Sequence, residues 1–312
     1  MRRRRLSVLV PVVVLGLVGA GCGGGDTPAK QSAAAPSGDA KTILSSIQAT
    51  AQQGPQKIGL SLGVTLKGTL KDPMVAAFLG DGKIAVDVAG PIDPKAKAAD
   101  LTFSAKAGKI NLAGGLRLAG DKAFLQINKK WYALPADALT GTSSTGDIDP
   151  AKILAALGDP SELVDNVTVV GTEDIDGIAT DHVAGDLDTA ELVKAIARIA
   201  ESLGTGATGP IDAKEIAEAT AQIEKSVKNA KVELWVGQKD KQVHRFKIDI
   251  SAVLDAKTKE SSGLDGLDVA ATLTSTPTDS PDVETPADAG TMEDLQKDIL
   301  PVLLGGLGGA TP

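Results

Sequence analysis

Two histidines, His182 and His244, are the side chains of this sequence best suited to acid–base chemistry or metal binding. Both lie in segments that the residue pattern predicts to be strands, and their spacing matches no zinc-binding motif. The spacing Gly-x-Ser-x-Gly occurs at Gly59-Leu-Ser-Leu-Gly63, but it lies inside a segment of strand-like alternation and not at a strand-to-helix turn, so it is not a nucleophile elbow. The sequence also has no glycine-rich phosphate loop after a strand. We therefore predict that the histidines are surface or hydrogen-bonded structural residues, and that the protein is not an enzyme and uses no cofactor or metal.

Carboxylates are abundant, and in Glu173-Asp174-Ile175-Asp176, followed by Gly177, they stand at a spacing that could bind a cation. Carboxylates at alternate positions before a glycine are found in calcium loops. Acidic residues followed by glycine are also typical of a turn between two strands. Both interpretations stay open, and the solvated turn is the one that we favour.

The single cysteine, Cys22, follows a segment with the layout of a secretory signal peptide. Four arginines occupy positions 2–5, an apolar stretch covers 6–18, and three small residues at 19–21 precede the cysteine. The apolar stretch is shorter than the ~20 residues that a transmembrane helix needs. We predict that residues 1–21 are removed, and a sole cysteine cannot then form an internal disulfide.

The segment Leu17-Val-Gly-Ala-Gly-Cys22 resembles a bacterial lipobox, although Gly19 stands where leucine is usual. That resemblance implies cleavage before Cys22 and a diacylglycerol on its sulfur, with acyl chains such as palmitate. Each buried methylene contributes ~0.8 kcal/mol, so two chains anchor a protein stably. We expect a lipid anchor at the extracytoplasmic face of the cell membrane; the alternative is an ordinary secreted protein with an incidental cysteine.

The composition of the mature chain excludes nucleic acid as a partner. Removal of residues 1–21 takes four arginines from the 32 basic residues and leaves 28 against 40 acidic residues, a net charge of −12. Affinity for nucleic acid comes from lysine and arginine neutralising phosphates, which such an acidic chain cannot supply. Aromatic residues make up only 2% of the chain, so the core must be mainly aliphatic.

The chain divides into a tether, one folded region and a tail. Residues 22–40 are rich in Gly, Ala, Ser and Pro and predict a lipidated flexible tether. The folded region is expected at 41–274. Residues 275–312 predict a linker and a short apolar segment, with helical spacing over 292–304 up to Pro301.

Period-two alternation dominates the first half of the folded region. Apolar residues occupy the even positions 58–66 and position 70, whereas glycine, serine, threonine and lysine occupy the odd ones, which is typical of a strand buried on one face. Further strands are predicted at 84–88, 101–105, 110–112, 116–118, 124–127, 167–170, 180–187, 232–236, 243–250 and 267–273. Short glycine-containing turns between them favour an antiparallel meander.

Helical spacing predicts four helices, at 40–52, after Asp149, at 189–203 and at 211–227. Strands and helices therefore form an α+β fold with one antiparallel sheet and helices gathered on one side. The small residues Gly59, Ser61 and Gly63 on the outer face suit a tightly curved sheet. Helices standing off such a sheet would leave an apolar cavity beneath them.

The order of several short motifs resembles the actinobacterial LppX/LprA/LprF/LprG lipoproteins, which share a half-barrel fold with the LolA and LolB carriers. The motifs are the lipobox, Leu118-Ala-Gly-Asp121-Lys-Ala-Phe124, Lys130-Trp131-Tyr132, Gly171-Thr-Glu173-Asp-Ile-Asp-Gly177 and Ala230-Lys-Val232-Glu-Leu-Trp235-Val236. The resemblance implies a LolA-like half-barrel with helices covering the concave face, which binds acyl chains of a membrane lipid or glycolipid. It also implies transport across the envelope by a monomer, with an envelope transporter as the kind of partner that exchanges the lipid.

Eight apolar residues on the alternating strands are expected to line that cavity: Leu60, Leu62, Val64, Val86, Leu101, Phe103, Leu112 and Leu116. Their alternative is a dry core, in which case the protein would be an anchored protein-interaction or sensor module. Residues 140–147 and the tail from 275 have no counterpart in the family pattern. Whether the segment 295–307 plugs the cavity or lies free of it also stays open.

Overall fold

The computed structural model of the chain describes residues 35–47, 54–108, 110–135, 164–188, 191, 221 and 225–305. Outside the described residues lie the predicted signal peptide, Cys22, the segment 140–147, the helix predicted after Asp149 and nearly all of the helices predicted at 189–203 and 211–227.

The described strands are β1 Gln56–Gly68, β2 Lys83–Asp93, β3 Ala98–Ala107, β4 Ile110–Ala119, β5 Lys122–Ile127, β6 Lys130–Leu134, β7 Val164–Ile175, β8 Ile178–Leu187, β9 Val227–Gly237, β10 Val243–Val253 and β11 Leu264–Pro277. The described helices are α1 Ala40–Ser45, α2 Pro73–Leu79, α3 Ala256–Ser262 and α4 Met292–Gly305.

These strands form a single antiparallel sheet in the order β6-β5-β4-β3-β2-β1-β11-β10-β9-β8-β7. One meander runs from β1 to β6 and a second from β7 to β11, and the pairing of β1 with β11 joins them. The sheet is curved and unclosed, with β6 and β7 at its two edges. The predicted antiparallel curved sheet is therefore confirmed, and strand β9 begins at Val227, where the sequence predicted the last residue of a helix.

The acidic segment before Gly177 forms the tight hairpin between β7 and β8. Asp176 and Gly177 have φ angles of 50° and 85°, the left-handed values that a two-residue turn of this kind requires. The Asp174 carboxylate accepts a hydrogen bond from the Gly177 N–H at 2.8 Å, which fixes the turn. This geometry is that of the turn that we favoured over a calcium loop.

Helix α1 covers the β7–β10 part of the apolar face. Its first turn is capped by Asp39, whose carboxylate accepts a hydrogen bond from the Thr42 N–H at 2.9 Å. The buried side chains of Ile43 and Leu44 pack into a cluster with Val183, Val232, Leu234 and Val236 of the sheet. The first predicted helix thus closes this part of the face.

Gly114 on β4 lies directly opposite Phe103 on β3 and leaves room for its ring. A Cβ at Gly114 would lie 1.9 Å from the carbonyl oxygen of Gln126 and 2.7 Å from Cζ of Phe103. We therefore expect Gly114→Ala to lower the free energy of unfolding by about 2 kcal/mol, measured by urea denaturation.

Gly63→Ala is the matched control, because a Cβ there meets only the Ala270 carbonyl oxygen, at 3.9 Å. Alanine also restricts the unfolded chain, so this variant should stay within about 0.5 kcal/mol of the parent or gain slightly. Equal urea midpoints for the two variants would show that the sheet relaxes around Gly114 at no cost.

Candidate functional site

The eight residues that the sequence predicts as a cavity wall lie together on one face of the sheet. Residues directly opposite in an antiparallel pair, and residues two apart along a strand, share a face. Leu62 lies opposite Val86, and Leu101 lies opposite Leu116. The other four wall residues follow from the same registers: Leu60, Val64, Phe103 and Leu112.

These eight residues, which we call the apolar strip, differ in how far the folded chain covers them. Leu101 is buried with Ile58 and Ala99 in a cluster near the amino-terminal end of β1. The other seven side chains of the strip are half-buried. The strip is therefore closed at one end and keeps accessible apolar surface along the rest of its length.

The apolar strip continues onto two strands that the sequence prediction did not include in the wall. On β11, Val269, Ala271 and Leu273 lie opposite Val64, Leu62 and Leu60. On β10, half-buried Phe246, Ile248 and Ile250 extend the same face. The alternation over 243–250 and 267–273 in the sequence predicts that these side chains share one face of their own strands. That this face adjoins the strip follows only from the pairing of β1 with β11 and of β11 with β10.

Two clefts lie at the carboxyl-terminal end of β1. A cleft of about 730 Å³ is bounded by Gly68–Lys71, helix α3 and Asp265. A neighbouring cleft of about 250 Å³ contacts Leu66, the next apolar-face residue of β1 after Val64. No residue of the apolar strip lines either cleft. The clefts therefore lie beyond the Val64 end of the strip and are separate from it.

Helix α4 lies over the β6 end of the same face. Its side chain Leu295 is buried among Ile127 and Tyr132, and two residues of the strip, Phe103 and Leu112, pack against that cluster. Asp298 accepts hydrogen bonds from the Tyr132 hydroxyl at 2.6 Å and from Lys130 Nζ at 3.0 Å. This helix therefore covers part of the predicted cavity wall.

The pKa values of Asp298, Tyr132 and Lys130 are all shifted by the contact between helix α4 and strand β6. Hydrogen bonds from Tyr132 and Lys130 hold the pKa of Asp298 below its usual value. The hydrogen bond to Asp298, together with burial, raises the pKa of Tyr132, and the same partner raises the pKa of Lys130. The helix thus docks with an ionised carboxylate facing a neutral phenol and a charged lysine.

The opposite face of the sheet carries a polar cluster centred on His182. Its Nδ1 lies 2.8 Å from Glu173 Oε1 and its Nε2 lies 2.9 Å from Glu233 Oε2. The ring therefore bridges carboxylates on the two neighbouring strands, β7 and β9, through both of its nitrogens. The ring stacks on Trp235 with the centroids 4.1 Å apart, and Trp235 Nε1 donates to Glu173 at 2.8 Å.

Lys247 adds a cation to this cluster. It lies 3.0 Å from Glu233 and 2.9 Å from Asp249. Burial pushes the pKa of Glu233 upward, but hydrogen bonds from Lys247 and His182 outweigh burial and hold that pKa below its usual value. Hydrogen bonds to Asp249 and Glu233 raise the pKa of Lys247.

His244 is also fully committed to hydrogen bonds. The ring is 1% exposed; Nδ1 lies 2.9 Å from the Ser275 carbonyl oxygen and Nε2 lies 2.9 Å from Asp240 Oδ2. Both histidines are thus hydrogen-bonded structural residues, in agreement with the sequence. Over the part of the chain that the structure describes, no group of His, Cys, Asp and Glu side chains is arranged to hold a metal ion.

No protein-family model and no curated protein matches this sequence. Among solved structures the chain is similar to lipoprotein LppX of Mycobacterium tuberculosis, with 15% identity and a TM-score of 0.36, over 79% of this chain and 99% of that chain. LprF of Mycobacterium bovis is 18% identical with a TM-score of 0.35, over 80% of this chain and 97% of that chain. A DUF1329 family protein of Desulfovibrio piger is 7% identical with a TM-score of 0.20, over 79% and 92%.

Two lipoproteins named in the sequence resemblance are thus also among the similar solved structures. Of the described helices, none is both long and apolar enough to cross a membrane.

Proposed function

We propose that this chain is a membrane-anchored extracytoplasmic lipoprotein that binds the acyl chains of a lipid or glycolipid on its apolar strip. It carries the lipid across the cell envelope as a monomer and catalyses no reaction. The lipid anchor is the one expected at Cys22, and an envelope transporter is the kind of partner that would load or unload the cargo. The net negative charge of the mature chain opposes binding to the phosphates of nucleic acid, which is therefore not a partner in this proposal.

The observation that carries this proposal is the half-burial of seven of the eight strip residues. A contiguous apolar surface of this kind, rimmed by polar residues, is typical of a ligand-binding groove or an interface. Each square ångström of apolar surface covered contributes ~25 cal/mol, so an acyl chain laid along the strip would bind without any charged contact. Selectivity for a headgroup would then come from polar groups at the mouth.

The polar side chains support the absence of catalysis in the proposal. His182 and His244 use both ring nitrogens in structural hydrogen bonds, so neither offers a free base. Glu173 and Glu233, the carboxylates nearest to His182, face away from the strip on the opposite side of the sheet. A binding protein needs none of these groups at its ligand site.

Native mass spectrometry tests this function on residues 22–312 with Cys22→Ser, expressed in a bacterial host and purified without detergent. We expect additional masses that disappear on denaturation and are then recovered as phospholipid or glycolipid. The control is the same chain, refolded without lipid and then incubated with phosphatidylcholine vesicles, which should regain bound lipid. An apo mass that stays unchanged after that incubation would contradict the proposal and favour a protein-interaction or sensor module.

A further inference from the structure

The segment that follows β11 crosses the sheet before helix α4 begins. Residues 278–291, which we call the strap, start beside β1, where the Thr278 N–H donates to the Pro55 carbonyl oxygen at 3.2 Å. Ser280 hydrogen-bonds to Asp93 at the end of β2, and the Glu284 carbonyl oxygen lies 3.5 Å from Arg117 of β4. The strap therefore carries the chain from the centre of the sheet to its β6 edge.

The strap ends by pairing with edge strand β6. The Gly290 N–H donates to the Trp131 carbonyl oxygen at 2.9 Å, and the Ala133 N–H donates to the Gly290 carbonyl oxygen at 2.8 Å. Thr291 and Asp294 then cap the helix reciprocally: the Asp294 N–H donates to Thr291 Oγ1 and the Thr291 N–H to the Asp294 carboxylate. The start of α4 is thus fixed at the sheet edge.

In contrast with its fixed start, the described part of helix α4 touches the sheet over a small area. Over 292–298, Leu295 is the buried side chain, and Met292 is 39% exposed. The polar contact at Asp298 is half open to solvent, with 47% of that side chain exposed. Over 292–298 the helix is held by one buried leucine and one partly exposed charged contact, and a ligand that covers more apolar surface than these can displace this part of the helix.

We propose that helix α4 is a displaceable internal plug, which occupies the Phe103–Leu112 end of the apolar strip until an acyl chain takes its place. This inference rests on the proposed lipid-binding function. The strap keeps the displaced helix attached at Gly290, so it returns to the strip when the lipid leaves. The plug shields the strip in the empty protein and lowers the apparent affinity for lipid by the fraction of molecules in which it is docked.

The test compares four forms of residues 22–312 carrying Cys22→Ser: the parent, a chain ending at Gly290, Asp298→Ala and Lys297→Ala. Asp298→Ala removes the contact with Tyr132 and Lys130 but keeps the helix. Lys297→Ala is the matched control, because Lys297 pairs only with Glu293 on the helix surface among its described ion pairs, at 2.8 Å. Binding is measured with pyrene-labelled phosphatidylcholine delivered from phosphatidylcholine vesicles, and amide hydrogen exchange follows residues 292–305.

We expect the chain ending at Gly290 and Asp298→Ala to bind the probe roughly three- to tenfold more tightly than the parent, as expected when a docked state is removed. Lys297→Ala should bind like the parent. In the parent, the probe should speed amide exchange at 292–305.

Two results would overturn the plug. If the parent binds the probe, all four affinities agree and the exchange of 292–305 is unchanged or slower, then lipid binding stands and the helix is a fixed part of the wall or closes over the ligand. If no form binds the probe, the proposed function fails together with the plug. Binding by the shortened chain alone would support the plug in its strongest form.

Discussion

Replacing His182 with alanine is expected to lower the free energy of unfolding by about 2–3 kcal/mol, measured by urea denaturation. The ring is 6% exposed and holds Glu173 and Glu233 together through hydrogen bonds of 2.8 and 2.9 Å. Its loss leaves each carboxylate without one hydrogen-bond partner and removes the stacking partner of Trp235. Glu233 keeps Lys247 and Glu173 keeps the Trp235 N–H, which limits the loss.

Lys231→Ala is the matched control for this substitution. Lys231 lies on the same strand and face as Glu233, but its ion pair with Asp186 is on the surface, with 54% and 39% of the two side chains exposed. Surface pairs of this kind contribute about 0–1 kcal/mol. A loss below 1 kcal/mol for His182→Ala, equal to that of the control, would mean that water can replace the histidine ring and that the cluster does not hold β7, β8 and β9 together.

Period-two alternation was sufficient to predict most of the sheet. In β1 every even position from Ile58 to Leu66 is apolar and every odd position between them is not, so the pattern indicates which side chains share a face. The same rule correctly placed all eight residues of the strip on one face. It could do so because an antiparallel register carries the alternation of one strand onto the next.

Short elements escaped the sequence prediction. Strand β6 has five residues and helices α2 and α3 have seven each, too few to show a clear period. Helix α3 is instead defined by its ends: Asp255 caps the first turn and Gly263, with a φ of 80°, ends the last. An aspartate and a glycine at this spacing also occur in ordinary turns, so these two residues alone do not distinguish a short helix from a loop between β10 and β11.

Contacts between distant segments could not be predicted at all. Glu173, His182 and Trp235 come from three different strands, and only the pairing of β8 with β7 and β9 brings them together. The contact of Tyr132 with Asp298 depends on the route of the strap around the sheet. The sequence therefore left open whether the tail covers the strip, and the structure places its helix there.

Val64→Gln is the substitution expected to affect lipid binding most. Val64 lies in the strip between Ile84 and Val269, away from the cluster under helix α4. A glutamine there would place an amide against the acyl chain, and an unpaired buried amide costs about 1–3 kcal/mol. Since ~1.4 kcal/mol is a tenfold change, the dissociation constant for lipid should rise about ten- to a hundredfold.

Thr65→Gln is its matched control on the next residue of the same strand. Thr65 points to the opposite face and lies opposite Lys83 and Asp268. A glutamine there meets a polar, half-exposed surface, so both stability and lipid binding should be those of the parent. Both variants introduce the same side chain into the same strand, which leaves the face as the only difference.

Titration of these two variants with pyrene-labelled phosphatidylcholine tests the lipid-binding face most directly, alongside urea denaturation of each. We expect Val64→Gln to lose at least tenfold in affinity while its unfolding midpoint stays near that of Thr65→Gln, which should bind like the parent. Equal affinities for the two variants would contradict a lipid-binding site on this face. So would unfolding of Val64→Gln alone, because Val64 would then belong to a solid core.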